Sequence, residues 1–167
     1  MSVRASDVYS KLQQIKGNAG PGPDGVQGVV LKSCAAALAP SLSRLFNCSL
    51  QQGALPKGWK TAAVVAISKG GDKSDMNNYR PISMTSLIGK ALEKLVRDKV
   101  EIFLEENKII PDCQHGFRAK RSCVTHLGRT LDRWASILDQ KSGARVHAIT
   151  LDWKKAFDRV PHDRLLS

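Results

Sequence analysis

The chain has 167 residues and a formal net charge of +11, because 26 Lys and Arg outnumber 15 Asp and Glu. Its hydrophobic fraction of 42% is ordinary for a globular protein and excludes wholesale disorder. The positive excess favours a polyanionic partner, most often nucleic acid, and a basic protein without such a partner is the alternative. No apolar stretch approaches the roughly 18 residues of a membrane span. The start lacks the apolar core of a signal peptide, so we expect an intracellular protein, cytoplasmic or nuclear.

The first third of the chain is predicted to be helical around one loop. The segment "MSVRASDVYSKLQQ" indicates a short N-terminal helix, and "GNAGPGPDG" indicates a turn-rich loop because its glycines and prolines break helices and strands. Apolar residues then recur at helical spacing until Gly53 and Pro56 end the pattern. The residues of this predicted helical stripe are Leu38, Leu42, Leu45, Phe46 and Leu50.

The next segment predicts a β-hairpin. The run "TAAVVAI" indicates a buried strand, and "YRPISM" indicates a second extended segment in which Pro81 disfavours helix. The polar sequence "KGGDKSDMNN" separates them. Together these patterns predict a hairpin with a long, basic tip.

Two amphipathic helices are predicted on either side of the connector "QHGFRAKRS". In the connector, Arg118, Lys120 and Arg121 are candidates for contacts with nucleic acid, because clustered positive charge attracts phosphates. The apolar stripes of the two helices are typical of a protein core rather than of ligand sites. They contain Leu87, Ile88, Ala91, Leu92, Leu95, Val96, Phe103 and Leu104 in the first helix, and Val124, Leu127, Leu131, Trp134, Ala135 and Leu138 in the second.

The closing segment "RVHAITLDW" indicates a strand with Asp152 at its carboxyl end. One interpretation of Asp152 is the N-cap of a helix beginning at "KKAF". The other is a ligand for a hard cation such as Mg²⁺, held against a substrate phosphate. Asp158 is not expected to share that ion, because six helical residues turn about 600° and leave the two carboxylates about 120° apart.

Four cysteines without paired spacing fit reduced thiols better than a disulfide framework. A zinc site built from Cys113, His115, Cys123 and His126 is the alternative. The usual Cys-x-x-Cys spacing is absent, however, and the intervening sequence is highly basic, so core or surface roles are favoured.

Several segments resemble, in the same order, those of reverse transcriptases from jockey-like non-LTR retrotransposons. The closing "LDWKKAFDRVPHDRLL" resembles the first catalytic-aspartate motif of that family. Earlier segments that resemble the family are "GPGPDGV", "LAPSLSRLFNCSLQQGALPKGWKTAAVVAISKGGDKSDMNNYRPISMTSLIGKALEKLV" and "QHGFRAKRSC". The resemblance covers essentially everything after residue 16. It implies a mixed α/β fold, part of a right-hand polymerase, with helical fingers around a β-hairpin and the first palm strand.

The resemblance also implies roles for individual residues. Asp152 matches the metal-binding, catalytic aspartate of the palm, and Phe157 matches the aromatic residue beneath the sugar of the incoming nucleotide. Arg80 matches the fingers arginine that holds the triphosphate, and Lys69 matches the neighbouring basic residue. The alternative for Arg80 and Lys69 is a solvated surface charge. The implied partners are an RNA template, a DNA primer and a deoxynucleoside triphosphate.

Transfer of a nucleotide by two metal ions needs more than one carboxylate. In the family the remaining ligands come from a later Tyr-x-Asp-Asp hairpin, and this sequence contains no Asp-Asp pair. We therefore expect an N-terminal extension (1–16), a fingers region (17–140) and a truncated palm start with a strand and a following helix (141–167).

This organisation predicts a fragment of an RNA-directed DNA polymerase that is inactive alone. Mg²⁺, or Mn²⁺, is expected to bind only when the missing palm ligands are supplied. The alternative is a non-catalytic, basic nucleic-acid-binding remnant or domesticated fragment.

Overall fold

The computed structural model describes residues 2–140, 143–153 and 156–166, without the side chains of Asp158 and Leu166. These residues form mixed α/β structure, as the sequence predicts. The chain divides into two compact units, Met1–Ile109 and Ile110–Ser167. The helices and strands of the described residues are α1 (Ala5–Gln13), α2 (Gly28–Ser33), α3 (Ala35–Gln52), β1 (Ala62–Ser68), β2 (Tyr79–Thr85), α4 (Leu87–Glu106), α5 (Cys123–Gln140) and α6 (His162–Leu166).

The first unit is organised around α1, which contacts α2, α3 and α4. The predicted stripes of α3 and α4 supply much of the core, because their apolar residues recur on one face of each helix. Helix α3 ends where the sequence predicts, with Gly53 in the left-handed conformation (φ 61°) that glycine adopts without a steric penalty. The most deeply buried apolar residues are Val8, Leu12, Leu31, Ala35, Phe46 and Ala91.

The two strands form the predicted antiparallel hairpin, with Ala62 opposite Thr85 and Ser68 opposite Tyr79. The buried character predicted for the first strand is wrong. Every residue of β1 is exposed, and Val64 retains 65% of its accessible surface. The run predicts a buried strand because an uninterrupted apolar sequence is typical of strands covered on both faces. This sheet has two strands, and no described element covers either face of β1.

The turn-rich loop at residues 17–27 packs Gly20 and Gly22 against the end of the hairpin. A Cβ added to Gly22 would lie 2.6 Å from the backbone nitrogen of Ser86 and 2.7 Å from the carbonyl carbon of Thr85. The backbone can approach this closely only because the residue has no side chain. Ser86 is itself fully buried, and its hydroxyl accepts a hydrogen bond from the backbone N–H of Gly89 as the N-cap of α4.

The second unit contains α5, which confirms the predicted helix, and then little regular structure. A 3₁₀ turn at Phe157–Arg159 and the short helix α6 follow. The strand expected at "RVHAITLDW" is not formed, since residues 144–153 have no strand assignment. A strand is defined by hydrogen bonds to a neighbouring strand, and no described segment pairs with these residues.

Among the described residues, no helix is both long and apolar enough to cross a membrane. The cysteines Cys34, Cys48, Cys113 and Cys123 are free and exposed.

Candidate active site

The hairpin places Lys69 and Arg80 on the same face near its tip. In the register, Arg80 lies opposite Ile67, and the backbone N–H of Lys69 donates to the carbonyl of Asn78 at 2.7 Å, which extends the pairing by one residue. Opposed residues share a face, and side chains alternate along a strand. Lys69 and Arg80 are therefore diagonal neighbours, at a spacing of about 7–8 Å between backbones that long side chains can bridge.

Both cations are exposed. The ammonium group of Lys69 donates to the carbonyl oxygen of Asn77 at 2.8 Å, across the mouth of the loop. Within the described part of the chain, the guanidinium group of Arg80 has no ion pair. Arg80 can therefore direct several N–H donors toward an anion without first breaking an internal salt bridge.

The tip between the strands is held together by its own side chains. The carboxylate of Asp72 accepts hydrogen bonds from the backbone N–H and the hydroxyl of Ser74, at 2.9 and 2.8 Å. These two bonds lower the pKa of Asp72, the backbone bond having the larger effect. The hydroxyl of Tyr79 donates to the carbonyl of Lys73 at 3.0 Å. These hydrogen bonds fix the conformation of the hairpin tip that carries the basic residues.

The second unit contains Asp152 and Phe157, both exposed. The ring of Phe157 lies edge-on to that of Phe117, with centroids 6.4 Å apart, and the two residues are 80% and 88% exposed. The interpretation of Asp152 as a helix N-cap depends on Lys154 and Lys155, which lie outside the described residues. The side chain of Asp158 also lies outside them. The sequence did not predict the ring pair, because nothing local links positions forty residues apart.

The basic connector is organised by Asp112. Arg121 donates to both the carbonyl oxygen and the carboxylate of Asp112, at 2.6 and 2.9 Å. Arg118 has a largely buried side chain that donates to the carbonyl of Pro111 at 3.0 Å. Lys120 is exposed, with a positive φ of 60°. Of the three predicted nucleic-acid contacts, two therefore also hold the loop in shape, a role that the sequence analysis missed.

The side chains named for the zinc alternative lie near one another in this unit. The rings of His115 and His126 have centroids 4.9 Å apart, and Cys113 and Cys123 line the same cavity. Among the described residues, however, no group of three or more His, Cys, Asp or Glu side chains is arranged to hold a metal ion. Asp152 is the one carboxylate that the sequence analysis assigns to a divalent ion.

A comparison with protein-family models matches residues 67–167 to the family described as reverse transcriptase (RNA-dependent DNA polymerase). The chain belongs to the reverse transcriptase family. Every candidate residue named above, from Lys69 to Phe157, falls inside the matched segment.

Three curated relatives of this reverse transcriptase chain come from mobile elements of Drosophila melanogaster. It is 31% identical over 166 residues to a probable RNA-directed DNA polymerase from transposon BS of Drosophila melanogaster. It is 30% identical over 166 residues to the RNA-directed DNA polymerase from mobile element jockey of the same organism. A third relative, a probable RNA-directed DNA polymerase from transposon X-element, is 30% identical over 157 residues. The resemblance to jockey-like elements is thus confirmed.

These alignments cover 99%, 99% and 93% of the chain and 18%, 18% and 17% of the respective relatives. The chain therefore spans less than a fifth of the length of the curated relatives it matches.

Proposed function

We propose that these residues form the triphosphate-binding part and one metal-binding residue of an RNA-directed DNA polymerase that copies a retrotransposon transcript. The observation that carries the proposal is the hairpin pairing, continued by the hydrogen bond from Lys69 to Asn78, from which we infer that Lys69 and Arg80 share one face. The reverse transcriptase family matches this segment. Relatives of similar sequence are named RNA-directed DNA polymerases.

In this proposal the hairpin binds the incoming deoxynucleoside triphosphate. The planar guanidinium of Arg80 donates paired hydrogen bonds to phosphate oxygens, and Lys69 adds a point charge beside it. The hydrogen bonds within the tip fix the backbone that carries both groups. Less conformational entropy is then lost when the triphosphate binds.

Asp152 is proposed as an oxygen ligand of a divalent cation, and Phe157 as the ring beneath the sugar of the nucleotide. A bound divalent ion would stabilise negative charge on the reacting phosphate. A single exposed carboxylate fits one position of such an ion's coordination shell and cannot complete it. We therefore assign the remaining ligands to polypeptide outside these 167 residues, and we propose that the chain alone has no polymerase activity.

The proposed partners are an RNA template and a DNA primer. The net charge of +11 supports a polyanionic partner. Lys120, exposed in the basic connector, is the candidate contact there, while Arg118 and Arg121 are proposed to hold the connector in the shape that presents it.

A chimeric polymerase tests the proposal. These residues would replace the aligned segment of the jockey polymerase of Drosophila melanogaster, and primer extension on an RNA template would be measured with Mg²⁺ or Mn²⁺. We expect an active chimera, abolition of activity by Asp152→Ala, and a loss of about 10²-fold in kcat/KM for the nucleotide with Arg80→Ala, as for a lost donor to transition-state charge.

Lys73→Ala is the matched control, because it removes one positive charge from the same hairpin tip and should change kcat/KM by less than about threefold. If Arg80→Ala and Lys73→Ala behave alike, the proposed triphosphate site is wrong. Template-dependent extension by the isolated chain that Asp152→Ala removes would contradict its proposed inactivity. An inactive chimera that still binds RNA would favour the non-catalytic binding role.

A further inference from the structure

A second basic site lies in the first unit, away from the hairpin residues discussed above. A groove of about 290 Å³ runs between α1 and α4. Its polar wall is formed by Lys11, Gln14, Lys16, Lys90 and Lys94. Its apolar lining consists of Ile15, Ala19, Leu87 and Ala91. Four lysines and no carboxylate therefore line one depression.

Only one of the four lysines is neutralised within the described part of the chain. The ammonium of Lys11 pairs with the carboxylate of Asp98, which also binds Arg97 at 3.0 Å. Lys16, Lys90 and Lys94 have no such partner among the described residues. The groove consequently presents three uncompensated positive charges.

Two of these positive charges lie close together on α4 and repel each other. Lys90 and Lys94 are four positions apart in α4, which places them on one face with their Cβ atoms about 5–6 Å apart, a spacing at which like charges destabilise the helix. An anion that binds between these two ammonium groups in the groove would relieve the repulsion.

The shape and chemistry of the lining indicate which anion. The lining contains no aromatic side chain, so it offers no surface on which a base could stack. The small side chains of Ala19 and Ala91 leave room for a sugar, and the amide of Gln14 can both donate to and accept from a hydroxyl. The groove volume of about 290 Å³ is just below the range of about 300–1,000 Å³ for ligand pockets, enough for backbone units rather than a duplex.

We propose that this groove binds the sugar-phosphate backbone of single-stranded RNA without reading its sequence. The proposal deepens the proposed function, since it rests on RNA as the partner. Phosphates lie against Lys16, Lys90 and Lys94, while the ribose lies over the apolar lining. The site would hold the template at a place separate from the triphosphate-binding face of the hairpin.

Fluorescence anisotropy with the full 167-residue chain tests the groove. A labelled 12-nucleotide single-stranded RNA of mixed sequence would be titrated at several salt concentrations. The triple variant Lys16→Gln, Lys90→Gln, Lys94→Gln should reduce the slope of log affinity against log salt by about 2, at about 0.7 per phosphate contact. Its affinity at low salt should fall at least tenfold.

The triple variant Lys32→Gln, Lys57→Gln, Lys60→Gln is the matched control, because it removes three exposed lysines from the same unit but none from the groove. It should keep most of the original slope. Circular dichroism melting should show that both variants fold, and the groove variant should melt no lower than the control. A second RNA of different sequence should bind within about threefold of the first, as sequence-independent binding requires.

If the groove and control variants lose RNA affinity and salt slope equally, RNA does not bind in the groove. That result would leave the proposed RNA partner of the chain unaffected. An absence of RNA binding by the unsubstituted chain would overturn the proposed RNA partner as well. Displacement of the RNA by poly-glutamate of matched charge, at the same concentration as unlabelled RNA, would assign the groove to acidic polypeptides and reject the RNA proposal.

Discussion

The two units of this chain use the same kind of amphipathic helix with opposite results. In the first unit, α3 and α4 place their apolar stripes in a core that includes Phe46, which has no accessible surface. In the second unit, α5 has an equally clear stripe, yet Leu127 and Leu131 are more than half exposed. No described apolar residue between 110 and 166 is buried. An amphipathic pattern therefore specifies which face can be buried, and burial itself requires a second apolar surface.

The difference predicts unequal stability along the chain. Backbone amides at Leu92 and Leu95 in α4 should exchange with solvent about 10³-fold more slowly than those at Leu131 and Ile137 in α5, because core helices open only near global unfolding. Residues 146–152, which lie outside helices and strands, should exchange at least as fast as α5. Hydrogen exchange followed by mass spectrometry measures all three segments at once. Similar protection in α4 and α5 would show that the second unit has a core of its own.

Truncation of a core aromatic should have the next largest effect. Phe46 packs edge-on against Trp59, with ring centroids 5.8 Å apart. Phe46→Ala should lower the free energy of unfolding by about 3–5 kcal/mol, through lost burial and the cavity left behind. Urea denaturation followed by circular dichroism measures the change.

The control for Phe46 is an exposed ring in the second unit. Phe117→Ala should change the free energy of unfolding by less than about 0.5 kcal/mol, as is usual for surface positions. If Phe117→Ala costs as much as Phe46→Ala, the contrast between the units is wrong.

Substitution of one glycine in each unit by alanine should change the stability of the two units in opposite directions. Gly22→Ala forces a Cβ against the backbone of Thr85 and Ser86 and should destabilise the first unit by about 1–3 kcal/mol. Gly128 lies inside α5 with nothing within 4 Å of its added Cβ. Gly128→Ala should stabilise that helix by up to about 1 kcal/mol. Thermal melting and helical circular dichroism of both variants check the signs, and the same sign for both would contradict the structure.

The smallest expected change in the free energy of unfolding comes from the ion pair of Lys11 and Asp98, and it depends on pH. The hydrogen bond from Lys11, and then that from Arg97, lower the pKa of Asp98 below its usual value. A carboxyl group whose pKa is lower in the folded state stabilises the fold above its unfolded pKa, near 3.9, and loses that contribution as the pH falls through the folded pKa. Asp98→Asn should therefore cost about 0.5–1 kcal/mol at pH 7, since the pair is partly exposed.

Urea denaturation from pH 7 down to pH 2 checks this sign. The difference between the unsubstituted chain and Asp98→Asn should shrink as the pH falls below about 4. Asp112→Asn is the matched change in the second unit, where the carboxylate is 79% exposed, and it should cost less than about 0.5 kcal/mol. A difference for Asp98→Asn that grows on acidification would refute the assigned direction.

Much of the fold could be predicted because it depends on local pattern. The spacing of Leu38, Leu42 and Phe46 predicts α3, and Gly53 predicts its end, because side-chain periodicity and helix termination act within a few residues. The two strands and their polar tip could be predicted for the same reason. Helix α2 was missed because six residues cover less than two turns, too few to establish a period. The order of the motifs was likewise enough to identify the family. The roles of Asp152, Arg80 and Lys69 stay predictions.

The partners of each element were decided only by the tertiary structure. The apolar run of β1 was expected to be buried and is exposed, and the segment before Asp152 was expected to be a strand and has no neighbour to pair with. The partner of Arg121 is Asp112, and the ring beside Phe157 is Phe117. Burial, strand pairing and ion pairing all depend on surfaces brought together from distant parts of the chain. A sequence pattern can indicate the capacity for such a contact, and the folded backbone determines whether the contact is made.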